Sequence, residues 1–337
     1  MAVPFHHEAV RSILLVKLRA IGDAVLTLPS LQALRQDFPQ ARITVLAPPA
    51  SLGVYQDDPR CDELLAYDRG ALRGLGAQAA FFASLRRRRP DLAVCLHASF
   101  RTALIGWMSG ATWRSIRNHS GPDWFCNLPA SEAKVPKSII QRDFDALRAL
   151  GLNPRDEGPR MAIPAAALVE AGKRWKAWRL KGSVVLLFPG AGKPEKRWPL
   201  EKFLALALAL RRAKTGVLLL TAPGEPGLET QAKAVGAHWG SVSDLKVLGA
   251  LCRLSGAVIG NDSGPRHIAA ASGARTLTLF GPETLREWHP YAKEDGHWAL
   301  QTDKGRVEDI PVGTVLASAA LWMKQGAGRK PGRGRPR

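Results

Sequence analysis

Cysteine is scarce and scattered. Cys61, Cys95, Cys126 and Cys252 are the only four in 337 residues. They form no C-x-x-C pair and have no histidine at metal-ligand spacing, which excludes both a disulfide framework and a thiolate zinc site. Long apolar runs are missing as well. Stretches such as 13–16 and 203–210 end at Lys17 and Arg211, far short of the ~20 residues that a bilayer span requires. The first residues place His6, His7 and Glu8 ahead of a short apolar run, which is not the charge order of a signal peptide. The chain is therefore expected in the cytoplasm, free or peripheral on a membrane. Acidic residues are the third shortage: 29 Asp plus Glu stand against 48 Lys plus Arg, a formal charge of +19. That excess implies an anionic partner, whether a phosphorylated substrate, an acidic membrane surface or nucleic acid.

What is present is an ordinary globular composition, 46% hydrophobic, on a chain long enough for two cores. Short branched apolar runs alternate with longer helix-like segments, the pattern of βα units and parallel sheets. Strands are predicted over 12–18, 42–47, 63–67 and 91–96. A helix is predicted over 24–38, with Leu28, Leu31 and Leu34 on one face and Pro39 past its end. After a Pro- and Gly-rich linker at 151–164 the pattern resumes. Strands are predicted there over 183–188, 216–221, 257–260 and 276–280, and helices over 199–213, 228–235 and 244–254. Two α/β domains, 1–158 and 159–325, follow, with no residue-level repeat between them. In such folds ligands lie at the carboxyl ends of strands, so the cleft between the domains is the expected site. Residues 326–337 hold four glycines, two prolines and five cations without an acid, a composition that predicts a disordered tail. Arg333 to Arg337 resemble the core of minor-groove AT-hooks, a pattern too short to make nucleic acid the expected partner.

Three segments have the residues for chemistry. In the first, Gly22 and Asp23 follow the first strand and open a helix, within Ile21-Gly22-Asp23 and Leu26-Thr27-Leu28-Pro29. Asp23 reads either as a capping residue or as a carboxylate placed to act as general base. The second, Pro189-Gly190-Ala191-Gly192-Lys193-Pro194-Glu195-Lys196-Arg197-Trp198-Pro199, is not a P-loop, because Pro194 stands where Ser or Thr is needed. It remains a glycine turn with cations ahead of a helix, suited to a diphosphate. Lys193 reads as a solvated cation, and Trp198 as a helix-entry staple. The third, Asn261-Asp262-Ser263-Gly264-Pro265-Arg266-His267 followed by Ala269 to Ala271, runs from a buried strand into a helix of small residues. Its first N–H groups suit phosphate, with the Ser263 hydroxyl and His267 as further hydrogen-bond donors, while Asp262 suits sugar hydroxyls.

At these segments, and at Phe280-Gly281-Pro282, the sequence resembles glycosyltransferase family 9, the lipopolysaccharide heptosyltransferases of Gram-negative bacteria. The resemblance implies a GT-B fold, two Rossmann-like domains around an interdomain cleft, with acceptor bound by the first and nucleotide-sugar donor by the second. It implies inverting transfer of heptose from ADP-heptose to inner-core lipopolysaccharide, an anionic lipid-linked acceptor, with no metal or other cofactor. Carried onto this chain, Asp23 is the expected base, Lys196 the cation against the diphosphate and Asp262 the residue holding the sugar. Gly190, Ser263, Gly264 and His267 complete the phosphate-facing turns, and Glu225 or Glu229 binds the ribose. Arg19 and Arg266 depart from the family's usual residues, and Arg266 reads either as a phosphate contact or as a solvated side chain. Alternatives are a family member using another nucleotide sugar or acceptor, and a basic nucleic-acid-associated protein.

Overall fold

The computed structural model describes residues 4–118, 123–130, 135–222 and 228–326. The basic tail beyond Gly326 and Glu225 lie outside the described residues. The chain divides into two compact units, Met1–Pro159 and Arg160–Arg337.

The first unit carries β1 (Ser12–Val16), α1 (Ile21–Leu26), α2 (Leu28–Asp37), β2 (Arg42–Ala47), α3 (Pro49–Leu52), β3 (Glu63–Ala66), α4 (Leu75–Arg87), β4 (Leu92–Cys95), α5 (Phe100–Met108), β5 (Trp113–Arg117), β6 (Leu128–Ala130) and α6 (Ile139–Arg148). The second carries α7 (Ala165–Ala177), β7 (Val184–Phe188), α8 (Leu200–Arg212), β8 (Gly216–Thr221), α9 (Leu228–Ala234), β9 (His238–Ser241), α10 (Leu245–Ser255), β10 (Ala257–Asn261), α11 (Gly264–Ala271), β11 (Arg275–Leu279), α12 (Leu285–Trp288), β12 (His297–Leu300) and α13 (Val312–Gly326).

Each unit is built on a six-stranded sheet, ordered β3-β2-β1-β4-β5-β6 in the first and β12-β11-β10-β7-β8-β9 in the second. Every pairing is parallel. Read from the first strand of each unit, both orders are 3-2-1-4-5-6, the Rossmann order. The central strands are apolar along their whole length, as β7 (Val-Val-Leu-Leu-Phe) is, because helices cover both faces of a parallel sheet. The strand order reverses between β1 and β4 and between β7 and β10, and these switch points open room at the carboxyl ends.

The predicted helix 24–38 is two helices that meet at Thr27. Pro29 has no N–H for the Val25 carbonyl, so one helix cannot run through it. The Thr27 hydroxyl instead donates to the Asp23 carbonyl at 3.0 Å and closes the first segment. In the second unit Trp198, Phe203 and Trp322 are buried among β7, β8, β10 and β11 strand residues. Trp198 packs edge-to-face on Phe203 across the start of α8, ring centres 4.9 Å apart, the staple that the sequence suggests, and donates its indole N–H to the Ile310 carbonyl at 2.9 Å. Among the described residues no helix is long and apolar enough to cross a membrane.

Candidate active site

In the second unit, β7 and β10 are paired neighbours, so the turns after them share one end of the sheet. Buried Asn261, the last residue of β10, joins the two turns: its Nδ2 donates to the Pro189 carbonyl at 2.7 Å and its Oδ1 accepts from the Trp198 amide at 3.0 Å. Gly190 is thereby held beside the end of β10. Gly260 permits this approach, since a Cβ there would stand 2.8 Å from the Phe188 Cβ and 3.0 Å from its carbonyl oxygen.

Asp262 follows and is 4% exposed. Its Oδ2 accepts from Lys196 Nζ at 2.8 Å and its Oδ1 from Arg266 Nη2 at 2.6 Å. Burial alone raises a carboxyl pKa, but Arg266 and Lys196 outweigh it and hold Asp262 below its ordinary range. Lys196, on the short 3-10 turn Pro194–Lys196, also lies 3.1 Å from Glu283 Oε1. Burial alone lowers a lysine pKa, yet the two carboxylates keep Lys196 above its usual value. Lys193 is more than half exposed and stands 3.8 Å from Glu283.

Ser263 is the N-cap of α11, but its hydroxyl caps nothing: the buried Oγ has no hydrogen-bond partner. Gly264 and Pro265 form the first turn, where a helix leaves N–H groups unbonded. His267 is buried, with Nε2 3.0 Å from Arg266 Nη2 and Nδ1 2.6 Å from the Tyr291 hydroxyl. Because a guanidinium only donates, Nε2 is the acceptor and the proton sits on Nδ1. Burial and the neighbouring Arg266 charge drive His267 well below its ordinary pKa, so it is neutral at pH 7.

Arg266 is neither solvated nor at the surface. It is fully buried, its guanidinium carbon 5.3 Å from the ring centres of both Phe280 and Tyr291. Sequence reasoning also missed Glu283, Trp288 and Tyr291. The i, i+4 spacing of Asp262 and Arg266 is the signal that finds the ion pair; the others arrive from segments distant in sequence. Glu229 is exposed and paired with Lys233 on its own helix at 2.7 Å.

In the first unit, Asp23 lies in the first turn of α1, after β1, and is 8% exposed. Among the described residues no backbone N–H donates to its carboxylate, so it is not a cap; Arg19 Nε lies 3.5 Å from Oδ1. The backbone around it is pinned by Tyr55, whose hydroxyl donates to the Ala24 carbonyl at 3.1 Å. Behind it Asp143 is fully buried between Lys17 at 2.6 Å and Arg117 at 2.9 Å. His97, after β4, is pushed down to about 4 by burial and by the charges of Arg19, Arg117 and Lys17. The carboxyl end of this sheet therefore presents a buried carboxylate beside the partly exposed Arg19, which suits proton abstraction from an anionic ligand. Among the described residues no group of three His, Cys, Asp or Glu is placed to hold a metal ion.

Comparison with known proteins identifies the family and the fold. The profile of glycosyltransferase family 9 (heptosyltransferase) matches residues 78–309. Lipopolysaccharide heptosyltransferase 3 of Escherichia coli is 24% identical over 289 residues, 82% of this chain and 85% of that one. Among solved structures, the family 9 glycosyl transferase of Veillonella parvula superposes with a TM-score of 0.80 at 21% identity, covering 94% of this chain and 97% of that one. ADP-heptose LPS heptosyltransferase II of E. coli gives 0.75 at 22% identity, covering 94% and 100%. The fold is that of these GT-B enzymes, and the profile spans well over half of the sequence. The chain belongs to glycosyltransferase family 9 and is a heptosyltransferase-like enzyme.

Proposed function

We propose that the enzyme transfers a heptose from ADP-heptose to the inner core of lipopolysaccharide, with inversion and without a metal ion. The observation that carries the reading is the pairing of Lys196 with Asp262 beside the open first turn of α11, at the switch point of the second sheet. Displacing a nucleoside diphosphate leaves negative charge at its terminal phosphate. Once the donor is bound, a lysine together with pre-oriented N–H groups of a helix start stabilises that charge with no further rearrangement during transfer. Gly190, Gly264 and the unpartnered Ser263 hydroxyl supply the close approach and a further polar contact, and Asp262 accepts from sugar hydroxyls.

Asp23 takes the proton of the acceptor hydroxyl as that oxygen bonds to the anomeric carbon, on the face opposite the departing ADP. The C–O bond to the phosphate breaks, ADP leaves with the electron pair, and the anomeric configuration inverts. The acceptor-binding role of the first unit and the donor-binding role of the second belong to this reading. Glu225 or Glu229 binds the ribose; the exposed position of Glu229 leaves its carboxylate within reach of solvent-borne ligand. The +19 charge suits an anionic lipid-linked acceptor and peripheral contact with the cytoplasmic face of the inner membrane, where each nearby cation contributes about 1 kcal/mol.

Isothermal calorimetry in EDTA, with ADP-heptose and ADP set against UDP- and GDP-sugars, tests the reading. ADP-selective binding without metal is the expected result. Binding of UDP- or GDP-sugars alone keeps the glycosyltransferase and removes the heptose donor, and binding that requires added metal removes the metal-free mechanism.

A further inference from the structure

Asp262 has one cation on each oxygen, and the two cations differ in their freedom to move. Arg266 is fully buried, with its guanidinium carbon 5.3 Å from the centres of both the Phe280 and Tyr291 rings; Nη2 lies 3.0 Å from His267 Nε2 and donates to the Trp288 carbonyl at 3.1 Å. Lys196 reaches Asp262 from a short turn on a flexible four-carbon stem, remains 15% exposed and divides its ammonium between Asp262 and Glu283. One carboxylate therefore has a fixed partner and a releasable one.

We propose that Arg266 is the permanent counter-ion of Asp262, and that it frees Lys196 to leave that carboxylate for the diphosphate of a bound nucleotide sugar. Arg266 is on this account a positioning residue: it touches no substrate and acts through Asp262 and Lys196. The inference rests on the reading of Lys196 as the diphosphate cation. Its physical reason is burial. A carboxylate that is 4% exposed cannot lose its only cation without protonating or holding that cation back. With Arg266 in place, neither is needed. Without it, nucleotide and Asp262 compete for one ammonium.

The groups that face Asp262 and could share in a proton change are Lys196, Glu283, Arg266, His267 and His289. Burial holds both histidines low, and removal of Arg266 lifts the repulsion that adds to it, so the test must separate them from the carboxylate.

The experiment is calorimetric titration of the full chain with ADP in EDTA, repeated at one pH in buffers of different ionisation enthalpy. The variants are Arg266→Met, Arg266→Gln and Arg266→Lys, each checked for folding by circular dichroism, and the double variant Arg266→Met with Asp262→Asn. For Arg266→Met and Arg266→Gln, the expected result is affinity at least about fivefold weaker, coupled to proton uptake absent in the parent. Two variants of different polarity keep the test open if one does not fold. Arg266→Lys, which preserves the charge, restores affinity and removes the uptake, whereas a role in packing alone gives no proton signal. Uptake that persists in the double variant belongs to the histidines or Glu283 and overturns the proposal. So does ADP binding by Arg266→Met and Arg266→Gln that is as tight as the parent's and free of proton uptake. Parent protein that binds no ADP removes the diphosphate reading and this inference together.

Discussion

Asn261 and Trp198 are joined by a buried hydrogen bond of 3.0 Å from the Trp198 amide to the Asn261 side-chain oxygen. With the bond from Asn261 Nδ2 to Pro189, one side chain spans the turn that holds Gly190, Lys193 and Lys196 at both ends. The opposite amide orientation would place donor against donor and acceptor against acceptor.

Asn261→Ala removes both bonds and leaves the Trp198 N–H and the Pro189 carbonyl without partners. The expected cost is about 2–4 kcal/mol, read as a lower urea midpoint. Weaker ADP binding is expected with it, because the turn carrying Lys196 loses its anchor. Unchanged affinity in a destabilised variant would show that the turn holds its shape by other means.

The buried Lys17–Asp143–Arg117 cluster behind Asp23 predicts an asymmetry between two substitutions. Asp143→Asn strands Lys17, which is 1% exposed, and is expected to destabilise by about 3–5 kcal/mol. Lys17→Met leaves Asp143 with Arg117 and is expected to cost distinctly less. Denaturant unfolding of the two variants ranks them, and equal losses contradict the account.

Asp23→Asn keeps the shape of the side chain and removes the base. Transfer is expected to fall by about 10²–10⁴-fold, with ADP binding within error of the parent, since the diphosphate contacts proposed above belong to the other unit. Near-normal turnover removes Asp23 from the mechanism.

Acid stability follows from two half-buried histidines that the fold holds neutral. Burial, reinforced by Arg266, pushes His289 to about 4, and burial outweighs the opposing pull of Asp295 to place His297 at about 4 as well. From the ordinary 6.5 down to about 4, the unfolded chain binds protons that the native one refuses. Stability therefore falls as pH drops through that window, by about 3 kcal/mol per histidine. His297→Gln, which can still bond the Thr276 hydroxyl now 3.0 Å from His297 Nδ1, is expected to flatten the slope by one proton. Urea midpoints between pH 4.5 and 7.5 measure it.

The strands recovered from periodicity are the apolar interior ones together with the edge strand β3. The prediction missed β5, β6, β9 and β12, of which β6, β9 and β12 lie at or toward the sheet edges and carry polar residues or proline. Such strands exist because a neighbour offers a ladder, and a proline such as Pro129 is tolerated where one side is unpaired. Local hydrophobicity has no signal for that.

The same division holds at the site. Asp23, Lys196 and Asp262 stand out in the sequence as candidates because each lies in the segment that follows an apolar strand and leads into a helix, a local pattern that short-range backbone physics imposes. The family, too, was legible from the order of those turns. What surrounds Asp262 was not. Glu283, Trp288 and Tyr291 come from segments twenty or more residues away, and only strand pairing and the packing of α11 against the sheet decide that they meet. Arg266 belongs to both accounts: its spacing from Asp262 is a property of the sequence. Its burial, and hence its strength as a fixed counter-ion, arises from the Phe280 and Tyr291 rings that the tertiary fold closes over it.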